Sequence, residues 1–191
     1  MRVLVGMLLI MVSLNPIQAQ SDSTYTDLKL AIKAGDSVKV LILKKQGLTE
    51  IPKEVFEFRN LEILELRKNE ITFIPDEISK LTQLKELDLS RNTMDSISPE
   101  LGALSELTLL NLSHNKFNRI PKSIGLLKKL QYLNLDYTNI DKVPIEIQGC
   151  KNLTFFNVRH SYMEEQEARK IRRLLPEDCV KLFPLTCKCN S

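Results

Sequence analysis

The side chains able to do chemistry are few. The chain carries two histidines and four cysteines and has no tryptophan. An imidazole pair could hold a metal or relay a proton, but His114 and His160 stand far apart in sequence and no third ligand or carboxylate accompanies them in a ligand-like spacing. Cys187-Lys188-Cys189 lacks the C-x-x-C spacing of structural zinc sites. No Ser-His-Asp ordering and no glycine-rich phosphate loop is visible. The residues therefore argue against an enzyme and call for no cofactor or metal. What remains is chemistry of recognition. Tyr132, Tyr137 and Phe155 come from a total of seven phenylalanines and four tyrosines. They fall near Leu109, Asn134 and Asn157, while Arg67, Lys68, Arg91 and His114 supply a second, basic group. Exposed aromatics beside adaptable amides are the types enriched where proteins grip one another.

What would bring these residues together is a repeat. Leu61, Leu84, Leu107, Leu130 and Leu153 follow one another at intervals of 23 residues. Around them L-x-x-L-x-L-x-x-N recurs, cleanly at Leu61-Leu64-Leu66-Asn69, Leu84-Leu87-Leu89-Asn92 and Leu107-Leu110-Leu112-Asn115. A degenerate copy starts at Val38, and a fading one ends at Ser161. Within each copy apolar and polar residues alternate, as in Leu87 and Leu89 between Glu86, Asp88 and Ser90, which predicts a short strand with one buried face. Stacked copies would pair into a parallel sheet with rungs about 4.8 Å apart. In that register Leu109, Tyr132 and Phe155 share one outward column, and Asn134 and Asn157 a second. Lys45, Lys68, Arg91, His114, Tyr137 and His160 share another. The two histidines then lie two rungs, about 10 Å, apart. Asn69, Asn92 and Asn115 follow the strands at turns, where a buried amide can both donate to and accept from loop backbone, giving a structural ladder. The sequons at Asn111 and Asn152 belong to the same repeat and are read as structural.

The ends differ from the array. Residues 1–19 carry Arg2, an apolar run from Val3 to Leu14 and a small residue, Ala19, where cleavage would occur, which reads as a secretory signal peptide. The run is short for a membrane span, which takes about 20 apolar residues. An uncleaved anchor is the alternative. Residues 20–37 should form an N-terminal cap with a helix over Asp27 to Ala34, its apolar side made by Leu28, Ala31 and Ile32 and its end by Gly35. Residues 38–161 are the repeats, with six strands. Residues 162–191 form a C-terminal cap and cysteine-bearing tail, opened by a capping box at Ser161 and Glu164 and stopped by Pro176. Cys150 occupies a core slot. In an exported chain, disulfides among Cys150, Cys179, Cys187 and Cys189 are expected, with three possible connectivities. The net charge is only +3, with 27 basic and 24 acidic residues, which offers no footprint for nucleic acid.

The consensus LxxLxLxxNxIxxIPxxIxxLxx, carried from about Val38 to Ser161, resembles the leucine-rich repeat of the Ras-suppressor-like, plant intracellular and short bacterial class. The leader and the ending Leu174-Leu175-Pro176-Glu177-Asp178-Cys179 resemble small exported bacterial repeat proteins. The resemblance implies an α/β solenoid with a curved parallel sheet on its concave side, irregular or short helical segments on its convex side and helical caps. It also implies a protein partner on the concave face. The resulting expectation is a monomeric protein, secreted, periplasmic or at the cell surface, with no membrane span once the leader is removed. A membrane-anchored signalling adaptor and a structural envelope protein are the other readings.

Overall fold

The computed structural model describes residues 23–184. The expected leader, residues 1–19, lies outside them, as do Cys187 and Cys189. In chain order the elements are β1 (Thr24–Tyr25), α1 (Leu28–Ala34), β2 (Val40–Ile42), β3 (Ile63–Glu65), β4 (Phe73–Ile74), β5 (Glu86–Asp88), β6 (Ser96–Ile97), β7 (Leu109–Asn111), β8 (Tyr132–Asn134), β9 (Phe155–Asn157), α2 (Glu165–Leu174) and β10 (Val180–Leu182). Short 3-10 turns return the chain between rungs, among them Lys53–Glu57, Asp76–Lys80, Pro99–Ala103, Lys122–Leu126 and Ile145–Gly149.

The sheet has eight parallel strands in the order β1-β2-β3-β5-β7-β8-β9-β10. The repeat predicts six. The two additions come from the flanks: β1 pairs with β2, and β10 pairs with β9, Val180 opposite Phe155 and Leu182 opposite Asn157. These short segments carry no repeat pattern, and each becomes a strand because an open sheet edge offers it unpaired backbone groups. A second, two-stranded sheet, β4 with β6, lies after the ladder positions.

The register matches the stacked columns. Leu41, Leu64, Leu87, Leu110, Leu133 and Phe156 align rung by rung and are all fully buried. Burial of a leucine contributes about 1.5–3 kcal/mol, so each rung adds to one continuous core and none could bury its apolar face alone.

The caps depart from expectation in detail. In α1, Asp27 accepts a hydrogen bond from Leu30 N–H at 3.1 Å and caps the helix, and Gly35 ends it at φ 56°. Ala31 is buried, but Ile32 is exposed, so the apolar side is narrower than the spacing suggested. At the C-terminus the capping box does not form. Glu164 takes the N-cap position of α2 without a side-chain cap bond, and the Ser161 hydroxyl donates to Val158 O at 2.8 Å instead. Ser161 suited both a cap and a ladder slot, and the ladder claimed it. Ala168 and Ile171 of α2 are buried with Leu175, and Phe183 packs on Phe156 under the Arg172 guanidinium.

Cys150 and Cys179 are buried free thiols, so no bridge joins them. The Cys150 thiol donates to Ile124 O at 3.1 Å, and burial pushes its pKa up to about 11. It is a core residue in which desolvation suppresses the thiolate.

Candidate binding face

The rungs leave the sheet through a turn with two parts, both present from Asp88 to Asn134. The second outward residue of the strand accepts a hydrogen bond from the backbone two residues on. Asp88 takes Ser90 N–H at 2.8 Å, Asn134 takes Asp136 N–H at 3.1 Å and Asn157 takes Arg159 N–H at 3.0 Å. The chain then passes through the left-handed region at Lys45, Lys68, Arg91, His114 and Tyr137, with φ between 52 and 60°. That reversal swings the next residue inward. There Asn69 accepts from Gln46 N–H at 2.8 Å and Leu48 N–H at 3.2 Å, and its amide donates to Leu43 O and Leu66 O, both at 2.8 Å. Asn92 accepts from Ile71 N–H at 3.0 Å and donates to Leu66 O at 3.1 Å and Leu89 O at 2.9 Å. Asn115 accepts from Met94 N–H and donates to Leu89 O and Leu112 O. Thr138 keeps only the bond to Leu135 O, at 2.7 Å.

This geometry sorts the candidate residues. Leu109, Tyr132 and Phe155 are register neighbours, all half-buried. Tyr132 and Phe155 stack with ring centroids 4.5 Å apart and planes 4° from parallel. Burial raises the Tyr132 phenol pKa, with Asp88 and Asp136 adding to it against a hydrogen bond to Asn134. Asn134 is half-buried, and Asn157 is buried, because β10 extends the sheet past it; as an exposed contact Asn157 is corrected. Ser90 and Ser113, outward by alternation, are also buried. Arg67 is half-buried, and Lys68 and Arg91 are exposed.

Tyr137 lies between the two histidines. His114 stacks on it at 4.5 Å and His160 at 4.1 Å, with interplanar angles of 8° and 16°. Two residues that the candidate set omitted complete this cluster. His160 Nδ1 lies 2.8 Å from Asp136 Oδ1, and its backbone N–H donates to the same oxygen at 3.0 Å. The register of His160 was legible from the repeat. No signal marked Asp136. Desolvation alone would raise the Asp136 carboxyl, but the side-chain and backbone hydrogen bonds from His160, its charge and the Tyr137 N–H hold the pKa below its ordinary value. The His114 pKa is lowered, first by desolvation and then by Arg91, with Asp136 opposing and His160 adding. Among the described residues no group of three or more His, Cys, Asp or Glu could hold a metal, and no helix is long and apolar enough to cross a membrane.

The pH dependence follows. A histidine whose folded pKa lies below its reference of 6.5 binds its proton more readily in the unfolded chain. Stability therefore falls as pH drops below that reference. The lowered Asp136 contributes stability above its reference of 3.8, lost as pH falls through its folded pKa. We expect the melting temperature to fall as pH goes from about 7 to about 5, the range in which histidine titrates. His114→Asn, which suits a left-handed backbone, should flatten that part of the profile. An unchanged slope in the variant would remove His114 from the account.

The leucine rich repeat family profile matches residues 36–94, 82–140 and 105–163. The chain belongs to the leucine-rich repeat family. Among solved structures it is similar to a Leptospira interrogans leucine-rich repeat protein, 36% identical with a TM-score of 0.68, over 78% of this chain and 36% of that one. It is also similar to the plant peptide hormone receptor RGFR1, solved in complex with RGF2, 38% identical with a TM-score of 0.62, over 67% of this chain and 22% of the receptor. An internalin from Listeria monocytogenes shares the fold at 16% identity and a TM-score of 0.65, over 88% of this chain and 54% of the internalin. The chain thus spans about a third of the Leptospira protein and about a fifth of the plant receptor. No curated protein matches it.

Proposed function

We propose that the chain is an exported, monomeric leucine-rich repeat protein that binds a protein partner through its concave face, as an interaction scaffold and not as an enzyme. The observation that carries this reading is the aromatic surface at the C-terminal rungs. Tyr132 stacks on Phe155, and Tyr137, 49% exposed, is held between two imidazoles. Rings already ordered by stacking lose little freedom when a partner covers them, which favours affinity. The company of a receptor solved with its peptide ligand supports the partner's class. Export rests on the apolar leader read in residues 1–19.

The test is capture of partners by the full chain from its own cells and their surroundings, with a Tyr132→Ala/Tyr137→Ala variant beside it, its fold verified by circular dichroism. Loss of two hot-spot aromatics should weaken capture by about 30-fold or more. Equal capture by the variant would move the site off these rungs. Recovery of chain outside the cell with a new N-terminus near Gln20 would test the leader in the same preparation.

A further inference from the structure

The N-terminal half of the same face has a different character. Lys45, Lys68 and Arg91 hold the left-handed position on three consecutive rungs, with φ of 58, 60 and 57°. Their backbone N–H groups donate to Arg67 O, Ser90 O and Ser113 O at 3.0, 2.9 and 2.9 Å, so the sheet fixes their spacing. At about 4.8 Å per rung the three cations span about 10 Å.

All three side chains are exposed, and among the described residues none has an anionic partner. Most acids on the neighbouring positions are engaged elsewhere. Glu65 pairs with Lys44 at 3.5 Å, Glu62 lies between Lys39 and Lys85, and Asp88 accepts from Ser90 N–H and from the Asn111 amide at 3.3 Å. The cations therefore act mainly on one another. The Lys68 pKa is lowered first by Lys45, then by Arg91, by burial and by Arg67. Glycine or asparagine would occupy this backbone conformation at lower cost. Three like charges there repel one another, and a bound anion would relieve them.

We infer that Lys45, Lys68 and Arg91 form a docking strip for an extended acidic peptide segment of the partner, laid across the strands. The inference rests on the concave-face reading above and names the partner's chemistry. A strip of about 10 Å matches three to four residues of extended chain at about 3.3 Å each. Val40 and Ile63 line the adjacent outward column, half-buried, and offer contacts to apolar side chains that a sulfated glycan does not carry. The stacking of His114 and His160 on Tyr137 occupies both faces of the Tyr137 ring, which a sugar or nucleobase would need. Glu86, exposed on the Arg91 rung in the apolar column, steers acidic groups toward the basic one.

The experiment is fluorescence anisotropy on the full chain. The probe is a labelled peptide of four glutamates, a Gly-Ser spacer and two phenylalanines, with a control in which glutamine replaces glutamate. At about 0.1 M salt the parent should bind the acidic peptide about tenfold more tightly than the control, as three exposed charge pairs provide. The preference should vanish near 1 M, where the Debye length is about 3 Å. A K45N/K68N/R91N variant should lose the preference while melting no lower than the parent. Absence of the preference in the parent, or its persistence in the variant, would overturn the strip. Tighter binding of a heparin oligosaccharide or an oligonucleotide, lost in the same variant, would overturn the peptide assignment. Partner capture separates the two readings. Capture retained by the triple variant but lost by Tyr132→Ala/Tyr137→Ala would leave the concave-face reading standing and remove the strip.

Discussion

Asn92→Leu should be among the most damaging single substitutions in this chain. The side chain is buried and joins three backbone groups: Ile71 N–H, Leu66 O and Leu89 O. Leucine fits the volume but can meet none of them. Each unpaired buried group costs about 1–3 kcal/mol. Relaxation recovers part, so a net loss of about 3–5 kcal/mol is expected. For a domain of this size that lowers the melting temperature by about 10 °C or more. Thr138→Val is the matched control, because Thr138 donates to Leu135 O alone. It should cost about 1 kcal/mol. Thermal denaturation of both variants reads the comparison, and near-equal melting temperatures would refute the ladder as a source of stability.

Gly125→Ala should be comparably severe for a different reason. Two convex turns, Lys122–Leu126 and Ile145–Gly149, pack so closely that a Cβ on Gly125 would overlap the carbonyl oxygen of Glu146 and stand 2.9 Å from its carbonyl carbon. The obstacle is backbone and cannot rotate aside. Overpacking a well-filled site costs about 1–3 kcal/mol, and a clash with main chain belongs at the upper end. Gly102→Ala meets the Ser123 Cβ at 2.6 Å and the Ser123 carbonyl oxygen at 2.8 Å, a shallower overlap. Denaturant midpoints should therefore rank parent, Gly102→Ala and Gly125→Ala in falling order. A Gly125→Ala protein as stable as the parent would mean that the turns can part freely.

The repeat made the array legible because a solenoid is close to one-dimensional. Each leucine meets its own counterpart one rung away, so period and register can be read without knowledge of distant contacts. That sufficed to place Leu109, Tyr132 and Phe155 in one column and His114, Tyr137 and His160 in another. The flanks obeyed no such rule. Thr24–Tyr25 and Val180–Leu182 are strands only because an edge awaits them, and nothing in their composition announces it. The second of them covers Asn157, which alternation alone leaves exposed. Ser161 satisfied two local motifs at once, and only the stacked neighbours decide between them. Disulfide pairing was a matter of compartment chemistry, and Cys150 and Cys179 are free thiols. The aromatic stacking was also hidden. Alternation gives the column of a side chain, whereas the left-handed backbone at Tyr137 sets the direction of its ring.

The close fit of the later convex turns has a consequence for curvature. On the concave side the rungs are locked at the hydrogen-bonding distance of about 4.8 Å. On the convex side the spacing follows the bulk of the returning turns. Between Lys53–Glu57 and Asp76–Lys80 that bulk includes Phe56, and a groove of about 1090 Å³ opens beside Phe73 and Pro75. From Pro99–Ala103 onward, glycines let the turns close on one another. Wider spacing on the convex side over a fixed concave spacing bends an array, so curvature is expected to be greatest between the first rungs and least between the last. A ligand lying along the concave face would then meet the cationic rungs at a steeper angle than the aromatic ones.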